Sequence, residues 1–485
     1  METIEEIWAD DFLGRRPEAE DLIGYLESVA SRPPLRDDGH AHVLAVDAAY
    51  GQGKSFFLRR FVRHMRTTGH AVAFVDAWVD DLEDEPLVAL AATLEEALKP
   101  WTAKSKTVAD RMARFRAKAG RVATIVGMGL ARRAVGLLIT QGAVDAAGEV
   151  VAGADEVSKD VRTDALKGAG SGIADDAATA LGAAVAPPME SRIQRFREGK
   201  AAIREMREGL AEVVRALAAE GMQLPVTIVI DELDRCRPTY AIKLLEEVKH
   251  LFDVSGVAFV LGLHGEQLSH SVKAAYGSGF DGAAYLRRFF NRRYTLREAE
   301  LKPLIEHLVV MLGIADDRFI RPRIEAINVH GQDSDDTPSF IAAYMRLYGL
   351  KARDAFELME MLQTGVALSA PHKILLPYLL PLLIGHIKSE AGLPPVVGEP
   401  DWRLALDFVS KKYGPEKFAS DIDLLAKFSD QKIRAKLLSK YDPDLQNLVV
   451  NCRFINPDLA HEDESYARPE NYRRLLQTVK RFTTA

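Results

Sequence analysis

The sequence predicts an α/β fold with a parallel sheet at its core and helices on both faces. Four apolar runs, at residues 43–46, 72–78, 225–230 and 257–263, have the character of buried strands and are separated by helical patterns. Strands that alternate with helices run parallel, because each helix returns the chain in a right-handed crossover. From about residue 297 the strand patterns end, which predicts an all-helical C-terminal domain.

Apolar spacing justifies the helices around these strands. Residues 19–26 repeat apolar side chains at the spacing of one helix face, and residues 203–217 and 240–252 do the same on either side of the third strand. Beyond the last strand the spacing recurs at 304–312 and 356–362. Helices are therefore expected before, between and after the strands.

The chain is too long for a single hydrophobic core, and its composition changes along its length. It has 485 residues, and residues 101–198 are rich in Ala and Gly but poor in aromatics, as expected for a helical insertion. We therefore predict a sheet domain in two parts, at 1–100 and 199–296, with the insertion between them. Residues 297–485 would form a helical lid or partner domain.

The charge and the hydrophobic content of the chain are those of an ordinary globular protein. The formal net charge is −7 and 47% of residues are hydrophobic, which is typical of a soluble globular chain and gives no general basicity for nucleic acid. Cys236 and Cys452 are the two cysteines of the sequence, too few for a disulfide framework or a cysteine metal site. With an acidic start and no signal-peptide pattern, we expect a cytoplasmic location.

One segment has the length of a membrane span. Residues 122–139 are apolar, but Arg132 and Arg133 fall near the centre. Each arginine there costs about 2.5–3.5 kcal/mol on insertion scales. We therefore expect amphipathic or small-residue helices in the insertion, and peripheral contact with a membrane stays open.

A phosphate-binding loop is predicted directly after the first strand. The segment Tyr50-Gly51-Gln52-Gly53-Lys54-Ser55 precedes a helical pattern. Its glycines let backbone N–H groups curl around phosphate oxygens, Lys54 would reach the β and γ oxygens, and the Ser55 hydroxyl would bind Mg²⁺. Ala48 stands where the strict pattern G-x-x-x-x-G-K-[ST] has its first glycine.

Acidic residues follow the third strand. Asp231 and Glu232 stand at its carboxyl end, and this is the edge at which α/β sheets bind ligands. Asp231 would hold Mg²⁺ through water, and Glu232 would polarise the water that attacks the γ-phosphate. The alternative is a core strand followed by a charged, solvated turn. For Asp234 and Arg235 we expect a structural pair at the turn between strand and helix rather than a catalytic role.

These segments resemble the KAP family of P-loop NTPases. The resemblance covers roughly residues 10–100 and 199–370. The matching features are Tyr50 before Gly-x-Gly-Lys, the triplet Asp76-Ala77-Trp78, the acidic motif from Ile230 to Cys236, the helix residues Glu246 to Lys249, the strand residues Phe259 to Leu261, and the pair Gln267-Leu268.

The resemblance implies a P-loop NTPase fold that binds ATP and Mg²⁺. Lys54 and Glu232 would act in catalysis, and Ser55 and Asp231 would bind the metal. The nucleotide contacts implied are Tyr50, Gly51, Gln52, Gly53, Lys54, Ser55, Phe56 and Asp231. The residues alone do not separate ATP from GTP, so ATP is expected from the resemblance.

Two features depart from the family pattern. His264 follows the fourth strand where the family usually has Asp. It would contact the γ-phosphate or the attacking water, or it is an ordinary residue at a strand end. The insertion at 101–198 occupies a place where the family often has transmembrane helices, but its charges argue against them here.

Two sources of positive charge are candidates for the catalytic arginine. Arg292 belongs to a cluster with Arg287, Arg288 and Arg293, near the point where related ring-forming ATPases supply an arginine to the neighbouring subunit; the alternative is a solvated helix face. Arg353 follows Leu350-Lys351-Ala352 and resembles the arginine that starts the lid helix in this family. The alternative for Arg353 is an ion pair with Asp354 or Glu357.

Two further segments have competing interpretations. Residues 11–15 resemble the part of related proteins that lies near the adenine, but a helix N-cap formed by Asp10 or Asp11 explains them equally well. The basic stretch 104–121 is read as a solvated helix face, with contact to a nucleic-acid backbone or anionic lipid as the alternative.

The resemblance implies an ATP-hydrolysing switch or assembly factor that acts as a homo-oligomer or on a protein partner. Bacterial members of the family are linked to defence against phage, which suggests that role. Ala48 and His264 motivate an alternative, a nucleotide-binding scaffold without hydrolysis. A nucleic-acid-stimulated NTPase is a third candidate, against which the negative net charge counts.

Overall fold

The computed structural model describes residues 2–30, 41–82, 85–125, 189–277, 279–320, 336–390, 475–479 and 481. The chain divides into two compact units, and it passes between them more than once. The first unit comprises Met1–Ile7, Ala19–Asp47 and Leu58–Thr295, and the second comprises Trp8–Glu18, Ala48–Phe57 and Leu296–Ala485.

The first unit is built on a five-stranded sheet in which every pair of neighbours is parallel. The strand order is β2-β3-β4-β1-β5, which confirms the predicted α/β fold. The strands are β1 (His42–Asp47), β2 (His70–Asp76), β3 (Gln223–Asp231), β4 (Val257–Leu263) and β5 (Arg292–Thr295).

The sheet register brings the carboxyl ends of the central strands to one edge. Asp47 of β1 lies opposite Leu263 of β4, and Ile230 of β3 lies opposite Leu261. All of β4 is buried, as expected for a strand covered on both faces. In β1, β3 and β4, charged side chains therefore come only at the strand ends, where the chain leaves the core.

Two details of the sheet correct the sequence analysis. The second strand ends at Asp76 rather than at residue 78, because the Asp76 carboxylate accepts a hydrogen bond from Val79 N and caps a short helix. The basic run, for which a solvated helix face was the alternative interpretation, contains the strand β5, and Arg292 and Arg293 are exposed on it. A four-residue edge strand with charged side chains lacks the apolar pattern of a buried strand.

The helices of the chain as far as residue 295 follow the predicted alternation with the strands. The helices are α1 (Ile4–Ile7), α2 (Arg16–Ala30), α3 (Lys54–Thr67), α4 (Ala77–Asp80), α5 (Pro86–Thr102), α6 (106–125), α7 (Met189–Ala219), α8 (Pro238–Leu251), α9 (Gly265–Tyr276) and α10 (Gly282–Leu286). A single 3₁₀ turn, Leu233–Arg235, follows β3 directly.

Helices α6 and α7 form an antiparallel pair that shares the core of the sheet. Phe115 of α6 and Met206 of α7 are both fully buried in the same hydrophobic cluster as the strands. Ion pairs join Arg111 to Glu212 at 2.5 Å and Arg121 to Glu205 at 3.3 Å. Part of the basic stretch 104–121 is therefore neutralised by neighbouring carboxylates.

The predicted insertion is described only at its two ends. Helix α7 runs without a break through residue 198, where the sequence suggested a boundary. Residues 126–188, including Arg132 and Arg133, lie outside the described residues, so the domain division stays a prediction. Within the described ranges, no helix combines the length and the apolar character needed to cross a membrane.

The second unit has a mainly helical core, as predicted. Its main helices are α11 (Lys302–Met311), α12 (Thr337–Leu347), α13 (Ala352–Ser369) and α14 (Leu376–Glu390). Residues 475–479 are helical and add Leu475 and Val479 to the hydrophobic cluster. A two-residue parallel ladder joins β6 (Phe319–Ile320) to β7 (Ile374–Leu375), and pairs this short leave no pattern in a sequence.

The helix pair gives a test of the core of the first unit. Replacing the buried Phe115 with Ala should lower the free energy of unfolding by about 3–5 kcal/mol, because a large cavity replaces the ring. Phe196→Ala is the matched control, since Phe196 of α7 is 63% exposed. Urea unfolding followed by circular dichroism measures both, and equal losses in the two variants would contradict the packing.

Candidate functional site

The predicted phosphate loop is shaped by two glycines in the left-handed backbone region. Gly51 has φ +79° and Gly53 has φ +83°, values that only glycine adopts without strain. A Cβ atom on Gly53 would lie 2.7 Å from Leu13 Cδ1, so a side chain there would also collide. Helix α3 begins at the next residue, Lys54, as the sequence predicted.

The loop closes on itself through Gln52. The Gln52 side-chain oxygen accepts a hydrogen bond from Ala49 N at 2.9 Å, and Gln52 N donates to Ala49 O at 3.3 Å. Glu232 is the one non-glycine residue with positive φ in the described part of the chain, so Ala48 has an ordinary φ. Alanine therefore fits the position where the strict motif has glycine.

Helix α13 of the second unit begins against this loop. Arg353 N donates a hydrogen bond to Gly51 O at 3.2 Å, and a Cβ on Gly51 would lie 3.2 Å from Arg353 Cβ. Lys351 N donates to Asp354 Oδ2 at 2.7 Å and so caps the helix. The predicted helix start is confirmed, and the exposed Arg353 side chain makes no ion pair with another described residue.

A buried arginine that the sequence analysis did not single out also contacts the loop. Arg15 is 1% exposed, and its guanidinium donates to Gln52 O at 2.8 Å, to Arg297 O at 2.8 Å and to Glu18 Oε1 at 2.6 Å. Glu18 Oε2 in turn accepts from Arg297 N at 3.1 Å. The short segment Gly14-Arg15 gave no signal of this, because its partners are distant in sequence.

Asp11 contacts the start of the helix that follows it. Its Oδ2 accepts a hydrogen bond from Arg16 N at 2.7 Å, at the first residue of α2. Because Asp11 stands five residues before Arg16, it is not the residue that directly flanks the helix, and the N-cap interpretation stays a prediction. The placement of this segment near an adenine stays a prediction.

The acidic end of β3 lies in the first unit and is tightly confined. Asp231 is 1% exposed, and its Oδ1 accepts from Glu232 N at 2.9 Å. Glu232 has φ +60° and ψ +26°, a left-handed conformation that is rare for a residue with a side chain. Strain of this kind costs on the order of 1–3 kcal/mol and concentrates at functional sites.

The residues after Glu232 contact neighbours rather than each other. Arg235 pairs with Glu232 at 3.3 Å and lies 5.7 Å over the exposed ring of Trp78. Asp234 Oδ1 accepts from His264 N at 3.1 Å. The predicted pair between Asp234 and Arg235 is therefore replaced by two separate contacts, one from each residue, which hold the acidic turn formed by residues 231–235.

His264 and Cys236 have structural roles in this turn. The His264 ring accepts a hydrogen bond from Gln267 N at 3.3 Å and caps α9, and a role for His264 in nucleotide sensing stays a prediction. Burial, with Asp81 and other nearby carboxylates, raises the pKa of the Cys236 thiol to about 12. This thiol is neutral at physiological pH and a poor nucleophile.

The arginine cluster before residue 296 is divided between different environments. Arg293 Nε donates to Asp47 Oδ2 at 2.9 Å, while Asp47 Oδ1 accepts from Gly265 N at 2.7 Å. Arg292 is exposed and lies opposite Leu44, three residues before the end of β1. Burial, together with the charge of Arg292, lowers the pKa of His42.

These residues have the chemistry of a nucleotide site. At Gly51 and Gly53 of the phosphate loop, a side chain would crowd neighbouring atoms. Lys54 starts a 14-residue helix, and a helix N-terminus favours negative charge. The Ser55 hydroxyl and the Asp231 carboxylate are the hard oxygen donors that Mg²⁺ prefers. Nucleotide and metal therefore both fit the residues present.

Comparison with known proteins gives a family match. A model described as the KAP family P-loop domain matches residues 15–308, a range that includes the loop and the acidic strand end. A comparison with curated proteins found no match.

Two solved structures match the chain at low similarity. The C. elegans PCH-2 structure is 11% identical, with a TM-score of 0.29 over 80% of this chain and 73% of that one. The Aeropyrum pernix ORC2 structure, solved as ADPNP–ADP complexes, is 11% identical, with a TM-score of 0.30 over 96% of this chain and 86% of that one.

The close approach at Gly262 gives a test of the acidic strand end. A Cβ there would lie 2.3 Å from Leu58 Cδ1 and 2.8 Å from Asp231 Oδ1. Gly262→Ala should therefore destabilise the protein by about 1–3 kcal/mol through overpacking. Gly24→Ala is the control, because nothing lies within 4 Å of its Cβ and alanine favours the helix. A Gly262 variant as stable as the Gly24 variant in thermal unfolding would refute the crowding.

Proposed function

Because the chain belongs to the KAP family of P-loop domains, we propose that it binds ATP with Mg²⁺ and hydrolyses it to drive a conformational or assembly switch. One observation carries the proposal. The strands β1 and β3 end at the same edge of a parallel sheet. Strand β3 ends at Asp231, with Glu232 directly after it, and the chain enters the phosphate loop directly after β1. The distances within the loop and within the acidic turn support it.

The loop would bind the triphosphate. Its backbone N–H groups and the Lys54 ammonium would neutralise the β- and γ-phosphates, with Tyr50, Gly51, Gln52, Gly53 and Phe56 as further contacts. Ser55 and Asp231 would hold Mg²⁺, which when bound neutralises charge on the same phosphates. The near-complete burial of Asp231 supports a fixed position for its carboxylate.

Glu232 would orient the water that attacks the γ-phosphorus and accept its proton. The bond to the bridging oxygen breaks as the new P–O bond forms, and ADP and phosphate are released. The left-handed backbone of Glu232 and its contact with Arg235 support a defined position for this carboxylate. A strained residue is retained when its position serves the chemistry.

Two arginines are proposed to supply charge to the transition state. Arg353 is exposed on a helix whose backbone is bonded to Gly51, which supports a role within the same chain. Arg292 is exposed on the edge strand β5, which supports a role toward a neighbouring copy in a homo-oligomer. Of the two neighbouring arginines on β5, Arg293 is the weaker candidate for this role, because its guanidinium already donates to the Asp47 carboxylate.

The wider biological role is proposed from family resemblance. A switch of this kind would act on a protein partner or on its own assembly, in the cytoplasm, with defence against phage as the proposed setting. The helical segment from residue 297 is proposed as the lid or partner domain.

Lys54→Ala tests nucleotide binding. The unmodified protein should gain about 2.7 kcal/mol of stability at Mg·ATP one hundred times above its dissociation constant. The Lys54 variant should lose most of this gain, because the phosphates lose a charge-assisted partner. Lys99→Ala, at an exposed ion pair on α5, is the control. Thermal unfolding with and without Mg·ATP measures the effect. If Mg·ATP stabilises the Lys54 variant as much as the unmodified protein, the loop does not bind the nucleotide.

Glu232→Gln tests hydrolysis separately from binding. The variant should keep its stabilisation by Mg·ATP but release phosphate at least about tenfold more slowly, because Gln cannot accept the proton. Glu96→Gln, at an exposed position of α5, is the control. If the unmodified protein is stabilised by Mg·ATP yet releases no phosphate, the non-hydrolysing scaffold replaces this proposal.

A further inference from the structure

Arg15 of the second unit is a fully buried arginine whose guanidinium donates a hydrogen bond to a backbone carbonyl of the phosphate loop. Its Nη2 donates to Gln52 O at 2.8 Å, and its Nη1 donates to Arg297 O at 2.8 Å. Glu18, which is 2% exposed, neutralises the guanidinium at 2.6 Å. A buried charge is tolerated only when it is paired and hydrogen-bonded in this way.

The bond to Gln52 O fixes the direction of a neighbouring N–H group. In a trans peptide the carbonyl of one residue and the N–H of the next point in opposite directions. With Gln52 O held by Arg15, Gly53 N–H must point to the other side of the loop. Because Gly53 has φ +83° and no Cβ, its backbone has other accessible conformations, and an external bond is needed to select one.

We infer that Arg15 is a positioning residue for phosphate recognition, acting through the Gln52–Gly53 peptide. It holds Gly53 N–H in the direction required to donate to a phosphate oxygen. The inference rests on the proposed nucleotide binding and assigns Arg15 a role that would act through the peptide group rather than through direct contact with the nucleotide. Its mode of action is geometric, since it sets the orientation of a single peptide group.

The same guanidinium reaches the start of the helical segment. Both backbone groups of Arg297 are held, its carbonyl by Arg15 and its N–H by Glu18 at 3.1 Å. Rotation of the Gln52–Gly53 peptide would therefore disturb Arg297 as well, which stands four residues before Leu301, the N-cap of α11. Arg15 connects the loop to the helical segment through one rigid planar group.

Lysine cannot reproduce this arrangement. The planar guanidinium presents five N–H donors at fixed angles, whereas an ammonium is a compact charge whose three donors rotate about one nitrogen at the end of a flexible chain. Arg15→Lys keeps the charge opposite Glu18 but cannot hold two carbonyls and a carboxylate in the same geometry. The charge and the positioning function are thereby separable.

The experiment compares Arg15→Lys, Arg15→Gln and Glu18→Gln with Arg116→Gln, which removes an arginine paired with Glu95 at the surface. Titration calorimetry gives dissociation constants for Mg·ATP and for Mg·tripolyphosphate, below the unfolding temperature of each variant. Steady-state kinetics gives KM and kcat. Three variants at two positions keep the test available if one of them does not fold.

The Arg15 variants should bind Mg·ATP and Mg·tripolyphosphate at least about tenfold more weakly, by the same factor for both ligands. The KM for ATP should rise by the same factor. The dissociation constants of Glu18→Gln should lie between those of the unmodified protein and those of the Arg15 variants. The dissociation constants of Arg116→Gln should match those of the unmodified protein. Weaker ATP binding with unchanged tripolyphosphate binding would overturn the inference in favour of an adenine contact.

Two other outcomes have distinct meanings. Lower thermal stability with unchanged dissociation constants would also overturn the inference, because Arg15 would then be only a structural residue. Failure of the unmodified protein to bind Mg·ATP would reject the proposed function itself and this inference with it. Normal binding by the unmodified protein and by both Arg15 variants would reject the inference alone.

Discussion

The constraint on which the rest of the structure depends is that the buried parallel strands β1, β3 and β4 carry charged residues only at their ends. The register aligns the ends of β1 and β4, and β3 pairs with β4 along the same direction. Asp47 and Asp231 are consequently placed at one edge of the sheet, and each is fixed by a backbone N–H group, from Gly265 and Glu232 respectively. The apolar interior of the sheet thus determines where its carboxylates lie.

This edge combines strong confinement with unusual backbone geometry. Glu232 is left-handed, and Gly262 is so close to Asp231 that a methyl group would not fit. Strain of about 1–3 kcal/mol at one residue is small beside the hydrophobic burial of the surrounding strands, at about 25 cal/mol per Å² of apolar surface. The sheet core can therefore hold a strained carboxylate that an isolated turn could not.

The sequence predicted best what depends on local pattern. Strand β4 agrees residue for residue, because burial on both faces makes it a continuous apolar run. The phosphate loop was predicted because glycine and lysine spacing is local as well. Strand β5 was missed, since its exposed arginines hide a short edge strand, and Arg15 was missed because its partners lie 37 and 282 residues away. Contacts of that range require the fold itself.

The phosphate loop illustrates how neighbouring bonds share the task of fixing a flexible segment. Gly51 O is bonded by Arg353 N, and the next carbonyl, Gln52 O, is bonded by Arg15. The backbone bond from Arg353 N contributes about 0.5–1.5 kcal/mol net, and the bond from the charged Arg15 guanidinium contributes about 1.5–3 kcal/mol. These energies are enough to select between backbone conformations that glycine makes nearly equal in energy. Both donors belong to the same unit as the loop. Since these successive carbonyls are held from outside the loop, the N–H groups that follow them, of Gln52 and Gly53, are directed by the second unit as well as by the loop sequence.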